Sequence, residues 1–151
     1  MKLSEKALLV AISQIGKSEK PHGSNWGEPV KTYLASVGIN FPASWCMAFI
    51  YWCFSEASKN LKVSNTAVKT GGVLAAWNKA LPAQKSKNPG IGSVFIMDHG
   101  KGLGHTGIVE KFDEKFIYTI EGNTNDTGSR EGIEVCRRKR LRTSIKGYLN
   151  Y

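Results

Sequence analysis

The sequence predicts an α+β domain, with N-terminal helices packed on one face of a four- to five-stranded antiparallel sheet. Two observations carry this. Apolar residues recur at helical spacing through roughly the first 80 positions. After Pro89 the texture changes to short runs rich in Val, Ile, Phe and Tyr, separated by Gly, Asp and Asn. Helices first and strands second is the α+β order. A third observation bounds it: 151 residues bury one core and are too few for two, so a single domain over 1–151 is expected.

The first segment places Leu3, Ala7, Val10, Ala11 and Ile15 on one helical face, with Ser4 as its cap and Gly16 as its end. A loop punctuated by Pro21, Gly23, Gly27 and Pro29 follows, then a short helix from Val30 to Val37 closed by Gly38. Ser44 is placed to cap the next helix. Almost every position from Trp45 to Phe54 is apolar whichever face it lies on, which is the signature of a buried central helix. A further short helix is expected from Gly72 to Ala80, stopped near Pro82. The runs GSVFIMD, GHTGIVEKF, KFIYTIEG, GIEVCRRKR and IKGYLNY then supply the strands of a meander.

With 41% hydrophobic and 22% charged residues and no biased tract, a disordered or fibrous chain is excluded. The longest apolar run falls far short of the roughly 20 residues a bilayer-spanning helix needs, so no membrane insertion is expected. Glu5 and Lys6 beside the first apolar stretch, with no small-residue cleavage site, argue against a signal peptide. The protein is expected to be made in the cytoplasm.

The 21 Lys and Arg against 12 Asp and Glu leave a net charge of +9. Six of these cations, Arg137, Arg138, Lys139, Arg140, Arg142 and Lys146, fall in one C-terminal segment; without them nine minus six leaves +3, so the excess is local. The run CRRKRLR reads as an exposed strand whose charges keep a sheet edge from pairing with other chains, and as an electrostatic attractor for an anionic surface. No recognised nucleic-acid motif accompanies it, and no specific nucleic-acid partner is expected.

Cys46, Cys53 and Cys136 form an odd set without paired spacing, which argues against a disulfide framework. On one helix Cys46 and Cys53 would be separated by about 10.5 Å of rise, beyond disulfide reach. Cys46 stands where the predicted central helix begins. There the unpaired backbone N–H groups and the positive end of the helix dipole favour the thiolate, the nucleophilic form. Cys53, two turns deeper, lacks this setting and reads as packing.

A cysteine nucleophile needs an imidazole to take its proton and return it to the leaving amine, and that imidazole needs an orienting acceptor. His105 opens the strand HTGIVEKF, and the following strand brings Glu121 and Asn123 back to its level with i, i+2 spacing on one sheet face. Opposed residues in an antiparallel pair have a constant sum of numbers. A two-residue turn at Asp113 and Glu114 would therefore put His105 and Glu121 on opposite faces. An odd-length loop or a bulge is required.

The stretches SNWGEPVKTYLASVG, SWCMAFIYWC, PGIGSVFIMD, GHTGIVEKF and IYTIEGNTN, from about Ile12 to Asn125, resemble a CHAP domain, the cysteine- and histidine-dependent amidohydrolase/peptidase family of papain-like enzymes. The resemblance implies a papain-like fold with Cys46 as nucleophile, His105 as general base and acid, Glu121 as the group orienting His105, and Asn123 as a fourth polar residue. It implies an amide-cleaving peptidoglycan hydrolase, an N-acetylmuramoyl-L-alanine amidase or an endopeptidase, working through a thioester without cofactor or metal. Bacterial peptidoglycan is the expected partner. Action at the wall or periplasm would follow delivery by another protein, such as a holin or a secretion apparatus. An antibacterial toxin role would add an immunity protein; an endolysin-like role would not.

The backbone N–H of Cys46 would meet the oxyanion, with Asn25 in the GSNWG loop as candidate second donor. Trp26 and Trp45 are candidates to floor a substrate groove. Asp98, His99 and His105 fit no standard zinc spacing. The run GKGLG leads into a strand, where a phosphate-binding loop would lead into a helix. The alternative of another class is a non-catalytic cell-wall-binding module of the same fold.

Overall fold

A computed structural model of the chain describes residues 1–124 and 132–151, with backbone alone at 124. Four helices, α1 (Leu3–Ser13), α2 (Val30–Ala35), α3 (Cys46–Leu61) and α4 (Val73–Lys79), precede nearly all of the sheet. The strands are β1 (Lys85–Ser86), β2 (Val94–Gly100), β3 (Leu103–Phe112), β4 (Phe116–Thr124), β5 (Glu134–Leu141) and β6 (Gly147–Leu149). All pair antiparallel, in the order β1-β6-β2-β3-β4-β5. The α+β class stands, with six strands in place of four or five. The additional one is the two-residue β1, too short to show a pattern in sequence.

Helix α3 is the centre of the core. Its first five residues, Cys46 to Ile50, are buried on every side, and the buried set then narrows to Cys53, Phe54, Ala57 and Ser58 at helical spacing. α1 packs along it, and α3 in turn packs on β3 and β4. Val94, Ile96, Ile108, Ile120, Val135 and Leu149 join this core from the sheet. Alternate residues build a smaller cluster of Phe95, Met97, Val109, Ile117 and Tyr148, with Ile145 against it. Both sheet faces are thus used, which sets up a strand that can bury a polar relay on one face while feeding the main core from the other. Among the described residues no helix is long and apolar enough to cross a membrane.

Two expected caps are corrected. α1 is preceded by Lys2, whose backbone N–H donates to Glu5 Oε2 at 2.9 Å, and Ser4 lies inside the first turn. α3 is preceded by Trp45 rather than Ser44, so Cys46 is its first residue. The basic strand β5 does lie at a sheet edge, but its first residues, Glu134 and Val135, are covered. Gly16 and Glu19 donate backbone bonds to Val135 and Ile133, and Val135 donates to Lys17, each at 2.9 Å. No disulfide joins the three cysteines.

Close approach fixes how helix meets sheet. A Cβ at Gly122 would lie 2.9 Å from Phe49 and Trp45 ring carbons. Gly122→Ala is expected to cost about 1–3 kcal/mol through overpacking, read as a lower urea midpoint with an unchanged slope; an unaltered midpoint would mean that the rings are free to yield.

Candidate active site

The site is assembled from the first residue of α3 and from β3 and β4. Its register depends on a bulge. Near the turn Phe112 faces Ile117 and Lys111 faces Tyr118, whereas beyond Glu110 the pairing is Val109 with Thr119 and Ile108 with Ile120. The one-residue shift changes the parity of the ladder, as same-face placement of His105 and Glu121 requires. Continued, it sets Gly107 opposite Glu121 and Asn123 level with His105. A Cβ on Gly107 would lie 2.6 Å from both Glu121 Cγ and Phe95 Cε2. The histidine and the carboxylate meet across that missing side chain, which explains glycine two residues after His105.

His105 Nε2 and Glu121 Oε1 are 2.7 Å apart, with 3% and 0% of the side chains exposed. This bond occupies Nε2; the buried Nδ1 has no hydrogen-bond partner among the described residues. Burial by itself lowers the proton affinity of the imidazole. The Cys46 thiol and then the Glu121 carboxylate outweigh it, raising the pKa from 6.5 to about 9. Cys46, 6% exposed, therefore lies within interaction range of the ring. Burial pushes the Cys53 thiol well up, as suits a packing residue.

Two residues of this site escape the sequence reading. Arg140 grips Glu121 with a two-pronged guanidinium: Nε donates to Oε2 at 2.7 Å and Nη2 to Oε1 at 2.6 Å. Thr119 Oγ1 adds a 2.6 Å bond to Oε2. Burial acts to raise the Glu121 pKa, but Arg140 and then His105 overcome it and hold the carboxyl at about 2. Thr119 could have been found as the same-face neighbour two residues before Glu121. Arg140 sits in a run of cations that reads as solvated surface, and nothing local marks it as turned inward.

The remaining expected residues divide. Asn123 is 1% exposed and has a left-handed backbone, φ 56°, at a break in the β4–β5 ladder; its Oδ1 has no partner among the described residues. Asn25, φ 55°, and the half-buried Trp26 belong to the loop before α2, where Lys31 lies over the Trp26 ring at 5.4 Å. The expectation that Trp45 floors a groove is corrected. Trp45 is fully buried, stacks on Tyr33 at 5.7 Å and donates Nε1–H to Glu19 Oε2 at 2.8 Å. Its large ring is needed in the core beneath the sheet. Glu19, 1% exposed, also accepts the Gly23 backbone N–H at 2.8 Å, so this carboxylate staples the loop leading to Asn25 onto the residue preceding Cys46. The described residues include no group of three or more His, Cys, Asp or Glu able to hold a metal.

The cysteine at the start of a helix, the imidazole near the start of a strand and the carboxylate on the next strand all lie within the span that a family model matches. The model of the family described as CHAP domain matches residues 38–123, more than half of the chain. The chain belongs to the CHAP domain family. The resemblance read from the sequence ran on to Asn125, which lies outside the described residues. A search of curated proteins finds no match. Among solved structures, the wild type endolysin LysIME-EF1 is similar with a TM-score of 0.60 and 17% identity, covering 99% of this chain and 64% of that one. Ly7917 is similar with a TM-score of 0.56 and 17% identity over 99% of this chain and 62% of that one. Ly7917 with the hydrolyzing product of MDP gives a TM-score of 0.55 at 17% identity, with the same 99% and 62% coverage. At this identity the likeness concerns the fold alone. The chain spans less than two thirds of the length of each of these structures.

The shifted pair gives the site a pH signature. An imidazole whose pKa rises on folding stabilises the fold fully below 6.5 and loses that contribution as pH climbs through about 9. A carboxylate whose pKa falls does so fully above 4.5 and loses it as pH drops through about 2. The unfolding free-energy difference between wild type and His105→Gln is expected to be greatest between these windows and to shrink toward pH 9. Urea titrations across that range test this; a constant difference would contradict the linkage.

Proposed function

We propose that the chain is a cysteine-dependent peptidoglycan hydrolase that cleaves an amide bond in the peptide part of the bacterial cell wall, as an N-acetylmuramoyl-L-alanine amidase or an endopeptidase. The observation that carries this reading is the buried His105, bonded to Glu121 through one nitrogen and within range of the Cys46 thiol. Membership of the CHAP domain family supports it. So do the structural relatives, one an endolysin and another solved with a hydrolysis product of MDP.

In the proposed mechanism the Cys46 thiol gives its proton to His105, and the resulting thiolate attacks the amide carbonyl carbon. The carbonyl π electrons move to oxygen, where the backbone N–H of Cys46, left without an intrahelical partner at the helix start, meets the negative charge. Asn25 is the proposed second donor. As the tetrahedral intermediate collapses the C–N bond breaks, and His105 delivers its proton to the leaving amine. Water then attacks the thioester while His105 takes its proton. The acid is released and the thiol is restored. Glu121 keeps the imidazole oriented and favours its charged form, and Arg140 and Thr119 keep Glu121 in place. No cofactor enters these steps. Action is at the wall, with delivery by another protein.

Digestion of purified peptidoglycan, read by new amino groups and fragment masses, tests the reading and names the bond. Cys46→Ala is expected to lower the rate at least about a thousandfold while the protein remains folded. Equal release by wild type and variant would refute thiol catalysis, and no release by wild type would leave the binding-module alternative.

The charge arrangement also sets the pH profile. The alkaline limb of activity is expected near pH 9, where His105 loses its proton. Glu121→Gln should move that limb downward. Arg140→Met should move it downward as well, because a buried carboxylate that Arg140 no longer holds ionised supports the charged imidazole less. Arg140→Lys should restore the limb but only part of the rate, since one ammonium cannot reproduce the fork. Identical limbs in all four proteins would show that His105 is not the titrating group.

A further inference from the structure

Across the turn-proximal part of the sheet, three strands align a second set of groups that the mechanism does not use. Lys111 on β3 faces Tyr118 on β4, and Tyr118 faces Lys139 on β5. Directly opposed residues share a face, so the three side chains form one row about 10 Å wide. The Lys111 and Lys139 ammonium groups lie 4.8 and 5.8 Å from the centre of the same Tyr118 ring. Phe116, two residues away on that face, has Lys139 over it at 4.0 Å and Lys115 at 5.6 Å. The row lines an open cavity of about 590 Å³, together with Glu110, Arg137 and Arg138. Tyr118 and Glu121 are an odd number of residues apart, so the row itself lies on the face of β4 opposite Glu121, while Thr119 and Arg138 reach the cavity from the other face.

The electrostatics of the row ask for an anion. Two carboxylates lie at the row: Glu110 is held by Arg137 through bonds of 2.9 and 3.1 Å and that pair neutralises itself, and Asp113 accepts the Tyr118 hydroxyl at 3.0 Å, which leaves the ammonium groups of Lys111, Lys115 and Lys139 against one carboxylate. Lys111 and Lys139 are like charges brought to one ring. Each is drawn to the negative face of the ring, and each repels the other. An anion bridging them relieves that repulsion, and the exposed aromatic face beside it offers a flat apolar surface for a sugar ring.

We propose that this cationic, aromatic row is a docking site for a phosphodiester-bearing glycopolymer of the bacterial wall. The proposal rests on the hydrolase reading for its choice of wall polymer. A hydrolase acting on an insoluble substrate gains from any contact that keeps it there, and charge complementarity supplies one. The row admits a single polymer strand with phosphates on the two lysines and a sugar over Tyr118. It is narrower than a nucleic-acid duplex. Because Lys111, Tyr118 and Lys139 are not among the residues of the proposed cleavage site, the row retains the protein on the wall without occupying that site.

The test uses the full chain carrying Cys46→Ala, so that retention is measured without digestion. Binding to intact walls is compared with binding to the same walls after hydrofluoric acid has removed phosphodiester polymers. Intact walls are expected to retain the protein roughly tenfold better at about 0.1 M salt, with the advantage lost near 0.5 M. Lys111→Gln with Lys139→Gln should abolish the advantage and leave binding to stripped walls unchanged, and Lys111→Arg with Lys139→Arg should keep it. Equal retention on intact and stripped walls, or full retention by the Gln pair, overturns the proposal. So does tighter binding to a DNA oligonucleotide than to intact wall. The hydrolase reading is tested apart from this, by amino-group release from stripped peptidoglycan with otherwise wild-type protein carrying the Gln pair. Release there without a retention advantage sinks the docking site alone; retention without release sinks the catalytic reading alone.

Discussion

The site depends on how one fully buried carboxylate is satisfied. Glu121 accepts four hydrogen bonds: Oε1 faces His105 Nε2 and Arg140 Nη2, and Oε2 faces Thr119 Oγ1 and Arg140 Nε. An isolated carboxylate at that depth would take up a proton and become a poor acceptor. Arg140 keeps it ionised, and the ionised carboxylate in turn holds the imidazole in its charged form. In the proposed mechanism the charges then alternate from Cys46 to His105 to Glu121 to Arg140, negative, positive, negative, positive. The set is neutral overall, so its burial does not strand a charge.

That arrangement places demands on the surrounding fold. His105 and Glu121 must share a face, which costs the β3–β4 ladder a bulge at Glu110. They must meet diagonally, which excludes a side chain at Gly107. Arg140 must reach Glu121 from its position opposite Ile117, and it does so by running along the face past Thr119, with its guanidinium 6.0 Å from the Phe95 ring. The small second cluster around Phe95 and Ile117 excludes water from the ion pairs and carries the stem of the arginine. On the helix side, Trp45 seats the start of α3 under Gly122, while Glu19 ties the preceding loop to the same ring. Cys46 and His105 are thus positioned by separate cores that share strands of one sheet.

Features that depend on neighbouring residues were legible in the sequence; those that depend on distant partners were not. The apolar run after Trp45 announced a buried helix, and short runs rich in Val, Ile, Phe and Tyr between turn residues announced the strands. The parity rule required a bulge or an odd loop before any coordinates. Trp45 misled because an aromatic beside a nucleophile looks alike whether it faces solvent or core; the difference lies in Glu19, 26 residues away. The caps at Ser4 and Ser44 failed because chain geometry starts each helix elsewhere. β1 was invisible because two residues carry no periodicity.

The charge shows the same limit with a larger consequence. Counted along the chain, the C-terminal cations look like one patch. In the fold, Arg140 is part of the buried relay with 13% of its side chain exposed, and Arg137 is paired with Glu110. Lys139, between Arg138 and Arg140 in sequence, faces the opposite side of the strand from both. Alternation therefore divides a single basic run between two tasks: one face of β5 supplies the cation that keeps a buried carboxylate ionised, and the other supplies a cation to an open aromatic row. A net charge of +9 overstates what an approaching polymer would meet, because part of it is spent inside the protein, while Lys111 and Lys139 converge from two strands on one tyrosine of the strand between them.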